Sequence, residues 1–285
     1  MFALALTNGL VIGIVYALTA LGVSLVVGIM NVINFAHGEF YILAGYFSYL
    51  FAHTLGMDPL AAMLIAVAGV FVLGLVVEYT LIRPTYGDDM YSLILTFILS
   101  IVLQSIYLLV FGPYPNKPPG WVKGATDIFG LFFYGNQRLA ALGAGVAVIA
   151  LFFAMLKLTW FGRMIRAASQ DREMAELNGI DTTRLNMFGF GLGCALAAAA
   201  GVILAPVFPV TPTAGTPIAL TAFVCVVLGG MGSMSGCVLG GLVLGVVENL
   251  GAAYVSTGYK HLFMFLILIL VLLIRPAGLF GRREA

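Results

Sequence analysis

The 285-residue chain is 62% hydrophobic and only 9% charged, with a net charge of +1. A soluble domain carries roughly 25% charge and a nucleic-acid binder a strong basic excess, so both classes are excluded. Mean hydropathy is +1.10, and several stretches reach the ~20 apolar residues that a helix needs to cross ~30 Å of hydrocarbon. The expected fold is therefore an all-α integral membrane protein, polytopic and helical. It forms a single domain over residues 1–285, with about eight spans that include broken or re-entrant half-helices.

The first span is expected at about residues 3–29. No Lys or Arg precedes it, so it lacks the basic start of a cleaved signal and reads as a retained span. A second apolar run, 31–53, follows almost at once. The third, 59–82, is opened by Asp58-Pro59 and closed by Arg83-Pro84; the fourth covers 91–111. The polar stretch 112–137 contains Pro113, Pro115, Pro118, Pro119 and Trp121 and reads as an ordered external loop. A fifth span, 138–160, leads into a charged loop, and a Gly- and Ala-rich sixth span, 186–205, leaves it. Pro206, Pro209, Pro212 and Pro217 mark the next connection. The region 218–254 is irregular: 218–228 is too short to cross alone, and a Gly-rich run at 229–236 precedes a Gly-spaced helix. A last span, 261–274, ends at Arg275-Pro276, with Arg282 and Arg283 beyond it.

Orientation follows from basic residues favouring the cytoplasmic side. Arg163, Arg166, Arg172 and Arg184 place the charged loop inside, and Arg83, Arg275, Arg282 and Arg283 agree. Parity then requires 218–254 to start and finish outside, which two short spans or a re-entrant pair would both satisfy.

Non-helical backbone survives at membrane depth only when buried in protein or lining a watery cavity. Two segments, 31–38 and 229–236, read as such breaks, one in each half of the chain, as in a transporter built from internal repeats. In the first, Asn31, Asn34, Gly38, Tyr41 and Gly45 fall at helical spacing on one face. Glu39 is the sharper signal, because an ionisable group within a span costs ~2.5–3.5 kcal/mol on insertion scales. It serves either as a structural hydrogen-bond acceptor or in the translocation path. Asn31, Asn34, His37 and Glu39, with Ser233 in the second break, are the candidates for that path. Glu78 and Glu248, near span ends, read as structural.

Of the 13 basic and 12 acidic residues, eight lie between Phe161 and Asn186. Ser169 is expected to cap a short helix with Asp171 and Glu173 in its positive first turn. Asn178-Gly179 ends that helix, Met174 and Leu177 share one side of it, and Asp181 caps the helix that follows. Such a helix, marginal alone, suits docking by a protein partner.

Other chemistry has little support. Cys194, Cys225 and Cys237 lack metal-ligand spacing and read as core residues. No His-Glu-x-x-His or Gly-x-Ser-x-Gly occurs, so no catalytic residue and no metal site is expected, and the chain reads as a non-enzyme. A secondary carrier would show relay carboxylates in several spans and would need no docking loop.

Arg166-Ala167-Ala168, Ala175 and Asn178-Gly179-Ile180-Asp181 resemble the coupling-helix region of ATP-binding-cassette (ABC) importer permeases. The run Gly28-Ile29-Met30-Asn31-Val32-Ile33-Asn34-Phe35-Ala36-His37-Gly38-Glu39-Phe40 resembles the second membrane segment of branched-chain amino-acid permeases. So do Val227-Leu228-Gly229-Gly230-Met231-Gly232-Ser233 and Arg275-Pro276-Ala277-Gly278-Leu279-Phe280-Gly281. The resemblance spans essentially the whole chain and is closest to the H-type permease subunits of branched-chain amino-acid ABC importers. It implies an alternating-access permease for leucine, isoleucine and valine, or a related one for urea, amides or other amino acids, in a bacterial inner membrane. The partners it implies are a second, paralogous permease, two ABC ATPases and a periplasmic or extracellular substrate-binding protein. ATP binds those ATPases, and this chain itself, which has no Gly-x-x-x-x-Gly-Lys-Ser/Thr loop, is expected to hold no cofactor. The same resemblance places Arg166, Glu173, Ala175, Glu176 and Gly179, within a coupling loop at about 162–184, at the ATPase contact.

Overall fold

The computed structural model describes residues 1–128, 132–275 and 277–280. Eleven helices are present among them. They are α1 (Phe2–Met30), α2 (His37–Tyr49), α3 (Pro59–Val77), α4 (Asp89–Phe111), α5 (Asn136–Leu158), α6 (Trp160–Gln170), α7 (Arg172–Leu177), α8 (Thr182–Leu204), α9 (Gly215–Gly229), α10 (Met234–Tyr254) and α11 (Lys260–Ile274). Wider π-type turns extend α2 to Thr54 and α3 to Ile82. Six of the described helices are long and apolar enough to cross a membrane; α9 and the apolar part of α11 are shorter. The external loop departs from an all-helical reading: β1 (Ala125–Ile128) pairs antiparallel with β2 (Phe132–Gly135). Arg282 and Arg283 lie outside the described residues.

The most apolar windows of α1 and α8 are 83% and 72% buried, against 28%, 17% and 22% for those of α3, α4 and α5. The first two are therefore the central posts, and the last three lie at the periphery of the chain. Hydrogen bonds and close contacts fix the directions. The start of α1 lies at the external loop, where Tyr134 and Arg138 donate to Asn8 Oδ1 at 2.9 and 2.7 Å. Its far end packs on the first turns of α8, with Ile29 against Gly189, next to the charged loop. Beyond Asn31, left-handed at φ 55°, the chain turns back and α2 starts only at His37. His37 Nε2 donates to Thr19 O at 3.1 Å and its ring lies against Gly22, the glycine that also meets the Gly193 carbonyl, near the middle of α1 and α8. So α2 rises outward from mid-membrane. After α8 the mirror-image event occurs: 205–214 folds back in, and α9 runs from mid-membrane to the cytoplasmic side.

The two halves are inverted copies. A full span, a polar return, a half-helix and two further helices make α1–α4, and the same series makes α8–α11 in the opposite direction. The packing obeys the same exchange: α1 lies on α10 as α8 lies on α3, α2 on α8 as α9 on α1, and α2 meets α9 on the axis between them. Small residues allow the closest of these approaches, as expected where lipid offers no hydrophobic drive between helices. A Cβ on Gly13 would lie 2.9 Å from Leu242 Cα, and one on Gly241 2.6 Å from Ala17 N.

One expectation is corrected here. The segment 229–236 is not a mid-membrane break but the tight cytoplasmic turn between α9 and α10. Gly230 and Gly232 take positive φ, and Ser233 Oγ caps α10 by accepting the Gly236 N–H at 3.1 Å. The Leu279 and Phe280 N–H groups close on Leu228 O and Gly229 O. The true counterpart of 31–36 is 205–214, which is rich in proline rather than glycine. Asn31 and Asn34 also lie outside α2, so they do not share a helical face with Gly38, Tyr41 and Gly45.

Because Gly245 packs on the backbone of Gly13, Gly245→Val should abolish a monodisperse peak in size-exclusion chromatography. Gly28→Ala, whose Cβ meets nothing within 4 Å, should keep that peak and the thermal midpoint.

Candidate functional site

Two features concentrate the chain's polar chemistry. The first is the meeting of the two half-helices. A Cβ on Gly38 would run into Gly215 O, and one on Gly215 would run into the Glu39 carboxylate, so the first turns of α2 and α9 touch backbone to backbone. Glu39 is 0% exposed. Its Oε1 accepts from Ser100 Oγ at 3.0 Å and Gln104 Nε2 at 2.9 Å. The Gln104 amide also donates to Thr216 Oγ1 at 2.7 Å, and Tyr107 donates to Glu39 O at 3.1 Å. One residue thus joins α2, α4 and α9. Both half-helices present their positive N-terminal ends to this carboxylate, each such end being worth about 0.3–2 kcal/mol. Two interhelical hydrogen bonds in a membrane add roughly 0.6–1.7 kcal/mol apiece. Together these are of the same order as the ~2.5–3.5 kcal/mol cost of a mid-membrane carboxylate.

The return itself is held by the same helix. Phe35 N donates to Thr96 Oγ1, and that hydroxyl donates to Ile33 O, both at 3.3 Å. Asn34 Oδ1 accepts the Ala36 N–H at 3.0 Å. Asn34, His37 and Glu39 are all buried and brought together around the break, whereas Asn31 is an exposed helix cap. Ser233, at the cytoplasmic turn, is not part of the cluster. The partners Ser100, Gln104, Tyr107 and Thr216 were missed, although α4 carried a signal. Ser92, Thr96, Ser100, Gln104 and Tyr107 repeat at helical spacing in an otherwise apolar helix, and together they form its inward stripe.

The second feature is the charged loop, which forms two helices rather than one. Thr159 Oγ1 caps α6 by accepting the Gly162 N–H at 3.1 Å. Gly162 lies against the Leu156 backbone, and Arg166 donates to Leu156 O, bracing α6 on the end of α5. The expected cap Ser169 falls inside α6, where its hydroxyl donates to Arg166 O. The cap of α7 is Asp171, whose Oδ1 accepts the Met174 N–H at 3.0 Å. Because α6 runs on to Gln170, the start of α7 is displaced by two residues. Gly179 takes φ 85° and ends the helix, and Asp181 caps α8 through Arg184 N at 3.0 Å, both as expected.

Of the residues expected at a partner contact, Glu173 and Gly179 are exposed and Ala175 is buried. Glu176 Oε1 accepts from Thr182 Oγ1 at 2.6 Å and from Arg172 Nε at 3.4 Å, pinning α7 to the first turn of α8. The Thr182 hydroxyl, and then Arg172, hold the Glu176 carboxyl below its ordinary range. Met174 and Leu177 are 57% and 80% exposed. Two apolar side chains beside Glu173 therefore project from an element wedged between α5 and α8.

Residues 5–272 match the family model for the permease component of branched-chain amino acid transport systems. The chain is similar to the high-affinity branched-chain amino acid transport system permease protein LivH of Salmonella typhimurium. They are 36% identical over 298 residues, covering 97% of this chain and 94% of that one. Similarity to the corresponding BraD protein of Pseudomonas aeruginosa is 35% over 295 residues, covering 98% and 95%. Among solved structures, PsaBC from Streptococcus pneumoniae in complex with Fab aligns over 95% of this chain and 91% of its own, with TM-score 0.52 and 13% identity. That is a likeness of fold alone.

Gln104 links two elements across α4, so Gln104→Leu should lower stability in detergent by about 1–3 kcal/mol, the sum of two interhelical bonds. Ile101→Leu, on the exposed side of the same helix, should change it by less than about 0.5 kcal/mol. Denaturant titration checks the pair, and equal midpoints would remove the bridging role.

Proposed function

The chain belongs to the permease family of branched-chain amino acid transport systems, and from that membership we propose that it is the H-type permease subunit of an ATP-driven importer. Its cargo is leucine, isoleucine and valine, the class for which the relatives' transport systems are named. It is a multi-pass membrane protein, and we assign it to a bacterial inner membrane. It works with a second permease, two cytoplasmic ATPases and an external binding protein that selects the solute.

The observation that carries this reading is the α6–α7 element. It stands between two spans on the side marked by the arginines and exposes Glu173, Met174 and Leu177. In the proposed mechanism these three side chains enter a groove of the ATPase. Ala175 keeps the close packing behind them, Gly179 supplies the turn, and Arg166 and Glu176 pass displacement to α5 and α8 through their bonds to Leu156 and Thr182. The break acts as a joint: Asn34 and His37 hold the return in place, and Glu39 ties the half-helices to α4. Gln104 and Thr216 are partly exposed at that depth and face the shared pathway. Asn31 and Ser233 shape the cytoplasmic turns.

Reconstituted with its partners, the chain should support ATP-dependent uptake of labelled leucine in which isoleucine and valine compete. Glu173→Lys and Leu177→Asp should leave the permease folded but lower that uptake at least about tenfold, equivalent to ~1.4 kcal/mol of lost docking. Normal uptake by both variants would refute the docking face, and uptake without ATP hydrolysis would refute the ATP-driven reading.

A further inference from the structure

A cavity of about 210 Å³ lies between α1, α2, the end of α8 and the return that leads into α9. It is smaller than the pockets of drug-sized ligands and suited to a single small metabolite. Ile12, Val15, Ile42, Leu204 and Ile218 give it apolar walls, and Tyr16, Tyr41 and Lys260 supply its polar side. The Thr19 hydroxyl, also in the wall, is engaged by its own helix through Val15 O and Tyr16 O at 3.1 and 2.9 Å. Exposed Phe208 and Pro209 form the rim. That rim lies on the outer side: the Arg138 guanidinium stands 5.9 Å from the Phe208 ring, and Val210 bridges Asn116 of the external loop.

The charge is what distinguishes this cavity from a packing void. Lys260 Nζ lies 2.9 Å from Glu248 Oε1, with side-chain exposures of 34% and 2%, and the Tyr16 hydroxyl stands beside the same carboxylate. Glu248 sits behind the wall and holds the ammonium at the cavity. A buried carboxylate is costly unless paired, and here the pairing holds Lys260 at the wall of a mainly apolar chamber. The ion pair is neutral overall, so a zwitterion enters without adding net charge, whereas a bare cation or anion does not.

We propose that this cavity is an outer subsite for an apolar amino acid: the α-carboxylate sits on Lys260, with Tyr16 beside it, and the branched side chain lies against Ile12, Val15, Ile42 and Ile218. The proposal rests on the amino-acid cargo inferred above. It gives the permease its own contact with solute after release from the binding protein, before the mid-membrane junction.

The test uses the whole transporter without its binding protein and a Pro209→Cys variant at the rim. The native cysteines Cys194, Cys225 and Cys237 are buried, so a membrane-impermeant maleimide reads the new thiol. L-Leucine should slow labelling several-fold. 4-Methylpentanoate, which keeps the carboxylate, should protect more weakly, and 3-methylbutylamine, which lacks it, should not protect. Lys260→Met should remove protection while leaving the unliganded labelling rate unchanged. If that variant fails to assemble, Ala214→Phe, which fills the cavity, should remove protection in its place. A complex that imports leucine but shows no protection by it overturns the subsite and leaves the function intact. A complex that imports another amino acid, with that solute alone protecting, overturns the leucine assignment and leaves the subsite. Protection that persists in Lys260→Met, or in Ala214→Phe where that variant stands in, places the solute elsewhere and overturns the proposal.

Discussion

A carboxylate and two glycines at the centre of the membrane decide what the rest of this chain can do. Backbone that leaves the helix in hydrocarbon has no water to satisfy it, yet the chain does so twice, at 31–36 and 205–214. Both returns end where Gly38 and Gly215 let the half-helices touch and Glu39 binds Ser100 and Gln104 of α4. A side chain on either glycine would part α2 from α9. Without the α4 stripe, the Ile33 carbonyl and the Phe35 amide would lose their partner Thr96. The inward stripe of α4 thus serves both the return and the carboxylate, while the rest of that helix stays apolar and exposed.

The cytoplasmic element and the α9 side of this junction lie on one continuous stretch of chain. Glu176 is bonded to Thr182 at the first turn of α8. The middle of α8 presents Gly193 to Gly22, and its end feeds the return that starts α9. Under the proposed function, a push on α7 reaches α9 by way of one helix. The inverted repeat makes that push asymmetric in effect, because α2 opens outward from the junction and α9 inward. The external loop adds a brace at the other end, through Asn116 on Val210 and through Arg138 and Tyr134 on Asn8.

Much of this was readable from the residues. Span positions followed from apolar length, and Asp58, Gly179 and Asp181 announced helix ends by chemistry that acts locally. Glu39 stood out as a carboxylate away from the ends of its span. What failed depends on tertiary contact. The glycine run at 229–236 resembles a membrane break, but its glycines serve the close approach of Gly229 to Gly236 and a turn held by the C-terminal segment. The real break at 205–214 carried prolines, which read equally well as an external connection. Ser169 is a reasonable cap by residue type; it lost to Asp171 because α6, unforeseen, continues through it. The α4 stripe was visible as periodicity, yet only the fold shows that it faces Glu39.

The central claim is that ATP-driven displacement at α7 flexes the α2–α4–α9 junction. Spin labels on Leu220→Cys of α9 and Leu109→Cys of α4, both exposed positions, measure it directly in the assembled transporter by pulsed electron-electron double resonance. The distance distribution should shift when the ATPases are trapped with ATP, and that shift should vanish when Glu173→Lys is added. Identical distributions with and without ATP would contradict the claim.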